Sequence, residues 1–117
     1  MQIYIVKKIL DFFDYFHQKR IFNELLKKLD RNLNLIIDVG AHKGESIINL
    51  NKYFIVEKIL SFEPSKKNFS HLKKVSQKFK NVEIYNYACG VKNEEKVLNY
   101  SQESSSSTLN QINENSK

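Results

Sequence analysis

Residues that cross-link a chain or break its regular structure are scarce in this sequence. Its 117 residues include one cysteine, one proline, three glycines and no tryptophan. A single cysteine, Cys89, cannot form an internal disulfide, and no cluster of cysteines and histidines has the spacing of a metal site. A disulfide-stabilised secreted domain and a zinc module are therefore excluded, and a reducing cytoplasm is the expected location.

Long hydrophobic runs are also lacking. Charges at Lys7, Lys8, Asp11 and Asp14 interrupt the apolar residues near the start, so neither a secretory signal nor a membrane span is predicted there. Hydrophobic residues make up 41% of the chain and charged residues 27%, as in an ordinary soluble domain. The net charge is +6, but the lysines are spread along the chain among acidic residues. Solvated helix faces are thus favoured, and no nucleic-acid partner is expected.

Residues 1–31 predict an amphipathic helical segment, because apolar residues recur at spacings of three and four with no glycine or proline between them. Aromatic residues stand beside basic ones, a pattern also typical of helices that lie on a membrane surface. Packing against the chain's own domain is the commoner use of such a stripe and is the interpretation we favour. The stripe comprises Ile3, Val6, Ile9, Leu10, Phe13, Phe16, Phe22, Leu25, Leu26 and Leu29.

Residues 32–117 predict an α/β domain. The run 33–39 is short, apolar and rich in branched residues, which is typical of a strand buried on both faces of a parallel sheet. Strand, helix, strand, helix and strand at these lengths predict right-handed crossovers. The expected fold is a Rossmann-like doubly wound parallel sheet, truncated after about three strands and preceded by a helix. The elements are strand 33–39, helix 44–53 with Ile47, Ile48 and Leu50 inward, strand 58–62, helix 65–81 with Ser65 as N-cap, and strand 82–87.

The glycines and the proline fall at predicted strand ends. Gly40 and Gly44 follow the first strand and Pro64 follows the second. In open α/β sheets, ligands bind beyond the carboxyl ends of the strands. Gly40 would let the backbone turn without a side chain blocking a ligand, and Gly44 would let the next helix start close to the sheet. On the glycines alone, a tight turn without a ligand is nearly as good an interpretation.

Two carboxylates favour a cationic cofactor. Asp38 ends the first strand, where a negative charge would repel a diphosphate but attract a cation, and the spacing from Gly40 to Gly44 lacks the third glycine of the dinucleotide fingerprint. S-adenosylmethionine has no phosphate and carries an amino group and a sulfonium. Glu63 ends the second strand, where a carboxylate can accept both hydroxyls of a ribose. The alternative for Glu63 is a surface glutamate placed favourably near a helix N-terminus.

With these residues identified, the chain resembles the FkbM family of S-adenosylmethionine-dependent methyltransferases. The resemblance rests on residues 37–45, 61–65, 87–90 and 104–109. It implies O-methylation of a hydroxyl group on a sugar or other small natural product. It also implies that residues 104–109 form a loop near the cofactor, although by composition residues 101–117 would be disordered. The cofactor-binding residues that it implies are Asp38, Gly40, Ala41, His42, Gly44, Glu63, Pro64 and Ala88.

The sequence departs from the family at two points. Asparagine is commoner where His42 stands, and we interpret His42 as a tolerated variant rather than a general base. The family also continues through further strands, so we expect residues 32–117 to be an incomplete cofactor-binding part, marginal in stability and inactive by itself. We assign no catalytic role to His17, His71 or Cys89, and expect Cys89 to pack at the end of the third strand. A nicotinamide-binding module and a non-catalytic partner protein are the alternatives.

Overall fold

A computed structural model describes residues 2–95 and residue 98, with side chains described from residue 14 onward. This part of the chain is a helix followed by three parallel strands that alternate with helices, which confirms the predicted Rossmann-like α/β class. The elements are α1 (Gln2–Lys28), β1 (Asn32–Val39), α2 (Glu45–Tyr53), β2 (Ile55–Phe62), α3 (Lys66–Ser76) and β3 (Val82–Tyr85). The predicted short strand at 96–100 and the predicted loop at 104–109 lie outside the described residues, apart from Leu98.

The three strands end level with one another at one edge of the sheet. Their order is β1-β2-β3, and both pairings are parallel. The register pairs Asp38 with Ser61, and Ser61 with Ile84. Because side chains alternate between the faces of a sheet, these three residues lie on the same face, as does Glu63 two residues after Ser61. The carboxylates of Asp38 and Glu63 therefore belong to neighbouring strand ends and to one face.

The core lies between this face and the helices. Ile47 of α2 and Leu72 of α3 are fully buried together with Ala41, and Phe69, Phe79, Val82 and Ile84 pack around them. A second cluster of Phe54, Val56 and Ile59 receives Phe22, Leu25 and Leu26 from α1. Phe22 also stacks on Tyr53, with ring centroids 5.2 Å apart. The last turns of α1 thus close the end of the core opposite the strand tips.

The first helix follows its prediction only in part. It ends at Lys28, and Phe22, Leu25 and Leu26 of the predicted stripe do pack against the domain. Phe16 and Leu29 do not, since each is about half exposed. Among the described residues, no helix combines the length and the apolar character needed to cross a membrane.

The prediction that β1 is buried on both faces is wrong. Leu35, Ile37 and Val39 are 52%, 61% and 62% exposed, so beyond Leu33, which packs against the second cluster, no described helix covers this face of the edge strand. Ile48, predicted to point inward, is likewise exposed.

Several predicted boundaries also differ from the structure. The second strand begins earlier than predicted, at Ile55, whose backbone N–H donates to the Arg31 carbonyl. The helix α3 ends at Ser76 rather than at 81, and β3 ends at Tyr85 rather than at 87. These differences lie at element ends, where local sequence signals are weakest.

Candidate functional site

Residues 40–44 form the loop between β1 and α2, and this loop is hydrogen-bonded to the end of β2. We call it the glycine bend. The backbone N–H groups of Gly40 and Ala41 both donate to the Phe62 carbonyl, at 2.9 and 3.0 Å. Gly40 has φ 78°, in the left-handed region that favours glycine, and a Cβ added there would meet no atom of the described residues within 4 Å. Within the described part of the chain, the outer side of the bend is therefore open.

At Gly44, unlike at Gly40, the absence of a side chain permits a close packing contact. Its φ is 100°, and an added Cβ would lie 2.9 Å from both Cβ and Cγ1 of Val75. The predicted close approach is thus present, but its partner is α3 rather than the sheet. This contact lets the first turn of α2 sit against α3.

The Asp38 carboxylate is held by two serine hydroxyls. Ser46, in the first turn of α2, donates to Oδ2 at 2.6 Å, and Ser61 of β2 donates to the same oxygen at 3.2 Å. Asp38 is half-buried, whereas Ser61 is fully buried. The carboxylate also lies beside the N-terminal end of α2, where the helix dipole favours negative charge. Three elements therefore meet at this one side chain.

The Glu63 carboxylate joins the glycine bend to the start of α3. Its Oε2 accepts the backbone N–H of His42 at 2.8 Å, and its Oε1 accepts the backbone N–H of Ser65 at 2.8 Å. Glu63 is only 6% exposed. An ionised carboxylate has about four lone-pair positions, so about two acceptor positions are left by the donors of the described residues. Ser65 in turn caps α3 as predicted, because its side chain accepts the backbone N–H of Asn68.

A third loop, after β3, is tied to the same place. The Asn86 side-chain amide donates to the carbonyls of Glu63 and Pro64, at 2.8 and 3.1 Å. Beside it lies a pocket of about 600 Å³ that Pro64, Asn86 and Ala88 help to line. Cys89 also lines it and is exposed, so the prediction that this thiol packs at the strand end is wrong.

The predicted site residues thus come together at the carboxyl edge of the sheet. Asp38, the glycine bend, Glu63 and Pro64 are joined by the contacts described above, and Ala88 lines the adjoining pocket. Ala41 is 2% exposed, its methyl group belongs to the core, and its backbone N–H and C=O are bonded to Phe62 and Gly44, so it shapes the bend and presents no free group to a ligand.

His42 takes an unusual backbone conformation for its residue type. It has φ 52°, and its ring Nδ1 lies 3.3 Å from Glu45 Oε1. Asparagine, aspartate and histidine are the non-glycine residues that tolerate positive φ best. The backbone conformation therefore gives a physical reason why histidine can stand at this position.

Sequence reasoning missed three residues of the site: Ser46, Ser61 and Asn86. Serine and asparagine at element ends are common, so their residue types alone carry little signal. The contact of Ser61 with Asp38 depends on the register of β1 and β2, which the sequence does not specify by itself.

The comparisons with known proteins find little that is similar to this chain. No family model matches the sequence, and no similar sequence is found among curated proteins. One of the solved structures that match is a Listeria monocytogenes protein whose assignment as an S-adenosylmethionine dependent methyltransferase is provisional. The TM-score is 0.46 and the identity 24%, over 56% of this chain and 29% of that protein. The chain therefore spans less than a third of that protein's length, and the match assigns it neither a family nor an activity.

Proposed function

We propose that this chain binds S-adenosylmethionine and is the cofactor-binding part of a methyltransferase of the FkbM type, acting on a hydroxyl group of a sugar or small natural product. The observation that carries the proposal is the placement of two carboxylates, Asp38 and Glu63, at neighbouring strand ends beside the open side of Gly40. A cofactor with a cationic methionine end and a ribose matches this arrangement, whereas a diphosphate would be repelled by Asp38.

Asp38 is the proposed partner of the cofactor's amino group. Within the described part of the chain, both hydroxyl donors use Oδ2, which leaves Oδ1 for the ligand. A hydrogen bond between charged partners contributes about 1.5–3 kcal/mol. Gly40 leaves room for the methionine chain because, among the residues that the structure describes, no side chain occupies the outside of the bend.

Glu63 is the proposed partner of the ribose. Its two backbone donors hold the carboxylate in place before a ligand arrives, so little ordering is needed on binding. Because Glu63 is almost fully buried, a ribose that contacts it is largely removed from water, and hydrogen bonds are stronger in such surroundings. The pocket beside Pro64 and Ala88 is the proposed continuation of the site.

The described residues would contribute binding and orientation to the reaction. When bound, S-adenosylmethionine would supply a methyl group activated by its sulfonium, for in-line transfer to the acceptor oxygen with S-adenosylhomocysteine as the leaving group. Holding the cofactor by both ends fixes the direction in which the methyl group points, and such orientation is a large part of the rate enhancement in reactions of this kind. We assign no base for the acceptor's proton.

The test is a calorimetric titration of the 117-residue chain with S-adenosylhomocysteine, the stable product form of the cofactor. We expect 1:1 binding, a loss of tenfold or more in Glu63→Gln and in Asp38→Asn, and no change in Glu57→Gln, which alters an exposed glutamate of the same strand. Circular dichroism on the same samples checks that each variant is folded.

Two outcomes would contradict the proposal. A folded chain that does not bind S-adenosylhomocysteine at millimolar concentration would refute it, and tighter binding of a nicotinamide dinucleotide would favour the alternative cofactor.

A further inference from the structure

Two serines beside Asp38, Ser46 and Ser61, have no role in the proposed function described above. Ser46 and Ser61 come from different elements, α2 and β2, yet both hydroxyls donate to the same carboxylate oxygen, at 2.6 and 3.2 Å. Two donors on one oxygen fix the rotation of the carboxylate about its Cβ–Cγ bond. The other oxygen, Oδ1, is then held in one direction.

Neither hydroxyl is needed to complete the secondary structure. Ser61 pairs with Asp38 through the backbone of the sheet whatever its side chain does. The N-cap of α2 is Gly44, which makes no side-chain cap, and Ser46 is the second residue of the helix. The hydroxyl of Ser61 lies in a fully buried position, where a polar group is costly unless it is hydrogen-bonded. Both hydroxyls act on the carboxylate.

We infer that Ser46 and Ser61 are positioning residues that aim Asp38 Oδ1 at the amino group of the cofactor. The inference rests on the proposed function, since it names the residues that prepare one of its two carboxylates. An isolated carboxylate would lose rotational freedom when it binds an ammonium group, whereas one already held by two hydroxyls loses less. The pair therefore contributes affinity only toward ligands that carry the amino-acid part.

The test compares two ligands that share an adenosine group. S-adenosylhomocysteine has the amino-acid part, and 5′-methylthioadenosine lacks it. We expect Ser46→Ala and Ser61→Ala each to weaken binding of S-adenosylhomocysteine about three- to tenfold and to leave binding of methylthioadenosine unchanged. Ser70→Ala is the matched control, because the Ser70 hydroxyl is exposed and donates to a backbone carbonyl within α3. Ser46→Thr keeps the hydroxyl and should retain wild-type affinity.

A double-mutant cycle separates positioning from general loosening of the fold. In an Asp38→Asn background, Ser46→Ala should have no further effect on S-adenosylhomocysteine, because the group it positions is gone. Equal losses for both ligands, or additive losses in the cycle, would overturn the inference. If Ser61→Ala does not fold, Ser46→Ala at its half-buried position decides the question by itself.

The two proposals fail in different ways. Unaltered affinity in both serine variants, with wild-type binding intact, overturns the positioning role alone. Absence of S-adenosylhomocysteine binding in the wild-type chain overturns the cofactor assignment and the positioning role together.

Discussion

Replacing each glycine of the glycine bend by alanine separates backbone strain from steric overlap. Gly40 and Gly44 have φ 78° and 100°, so an alanine at either position carries a backbone cost of about 1–2 kcal/mol. Only at Gly44 would the new Cβ also overlap Val75, at 2.9 Å from two of its carbon atoms. Overpacking of this kind costs about 1–3 kcal/mol. Gly44→Ala should therefore destabilise the chain by about 2–5 kcal/mol and Gly40→Ala by about 1–2 kcal/mol.

Urea unfolding followed by circular dichroism measures both free energies, and the absence of tryptophan makes this signal preferable to fluorescence. A domain of this size has a total stability of about 5–15 kcal/mol, so the larger loss shifts the midpoint substantially. Gly40→Ala should in addition weaken binding of S-adenosylhomocysteine, because its methyl group enters the space beside the bend that the described residues leave open. The reasoning fails if the two variants are equally destabilised, or if Gly44→Ala is the milder change.

Three further predictions concern other contacts. Ser65→Ala removes the N-cap of α3 and should cost about 1 kcal/mol in urea unfolding; a loss no greater than that of a surface serine would contradict the capping role. The hydrogen bond from Lys58 lowers the pKa of Glu83. Wild type should therefore have a higher melting temperature than Glu83→Gln at pH 6, and this difference should vanish as the pH falls below the ordinary glutamate value of 4.5. A difference in melting temperature that widens in acid would refute this. Ile37→Lys, on the exposed face of the edge strand β1, should reduce concentration-dependent association in light scattering without lowering the melting temperature, and unchanged association would show that this face is not responsible.

The element order and the place of the site were predictable from local signals. A branched apolar run, glycines directly after it and a proline after the next strand are properties of neighbouring residues, and they place strands, bends and helix starts without knowledge of the packing. Asp38 and Glu63 could be assigned to the same edge because parallel strands joined by helices must run in the same direction. The serine N-cap of α3 is equally local, since Ser65 bonds to a residue three positions away.

Burial was predicted less well, because it depends on what else in the molecule covers a face. The periodicity of α1 is the same at Phe16 and at Phe22, yet only Phe22 lies over the core formed by Phe54, Val56 and Ile59. The apolar run of β1 predicts burial on both faces, but no described helix covers the side chains of Leu35, Ile37 and Val39, which remain exposed.

The sequence alone therefore determined the order of the elements, the turn chemistry of the glycine bend and the residue types at the strand tips. Only the tertiary structure decided which groups meet there. The register of β1 and β2 brings Ser61 to Asp38. The packing of Gly44 on Val75 positions α2 so that the Ser46 hydroxyl lies 2.6 Å from the same carboxylate. The physical reason is that a hydrogen bond between distant residues depends on distances of a few tenths of an ångström, which are set by the packing of whole elements and not by any short stretch of chain.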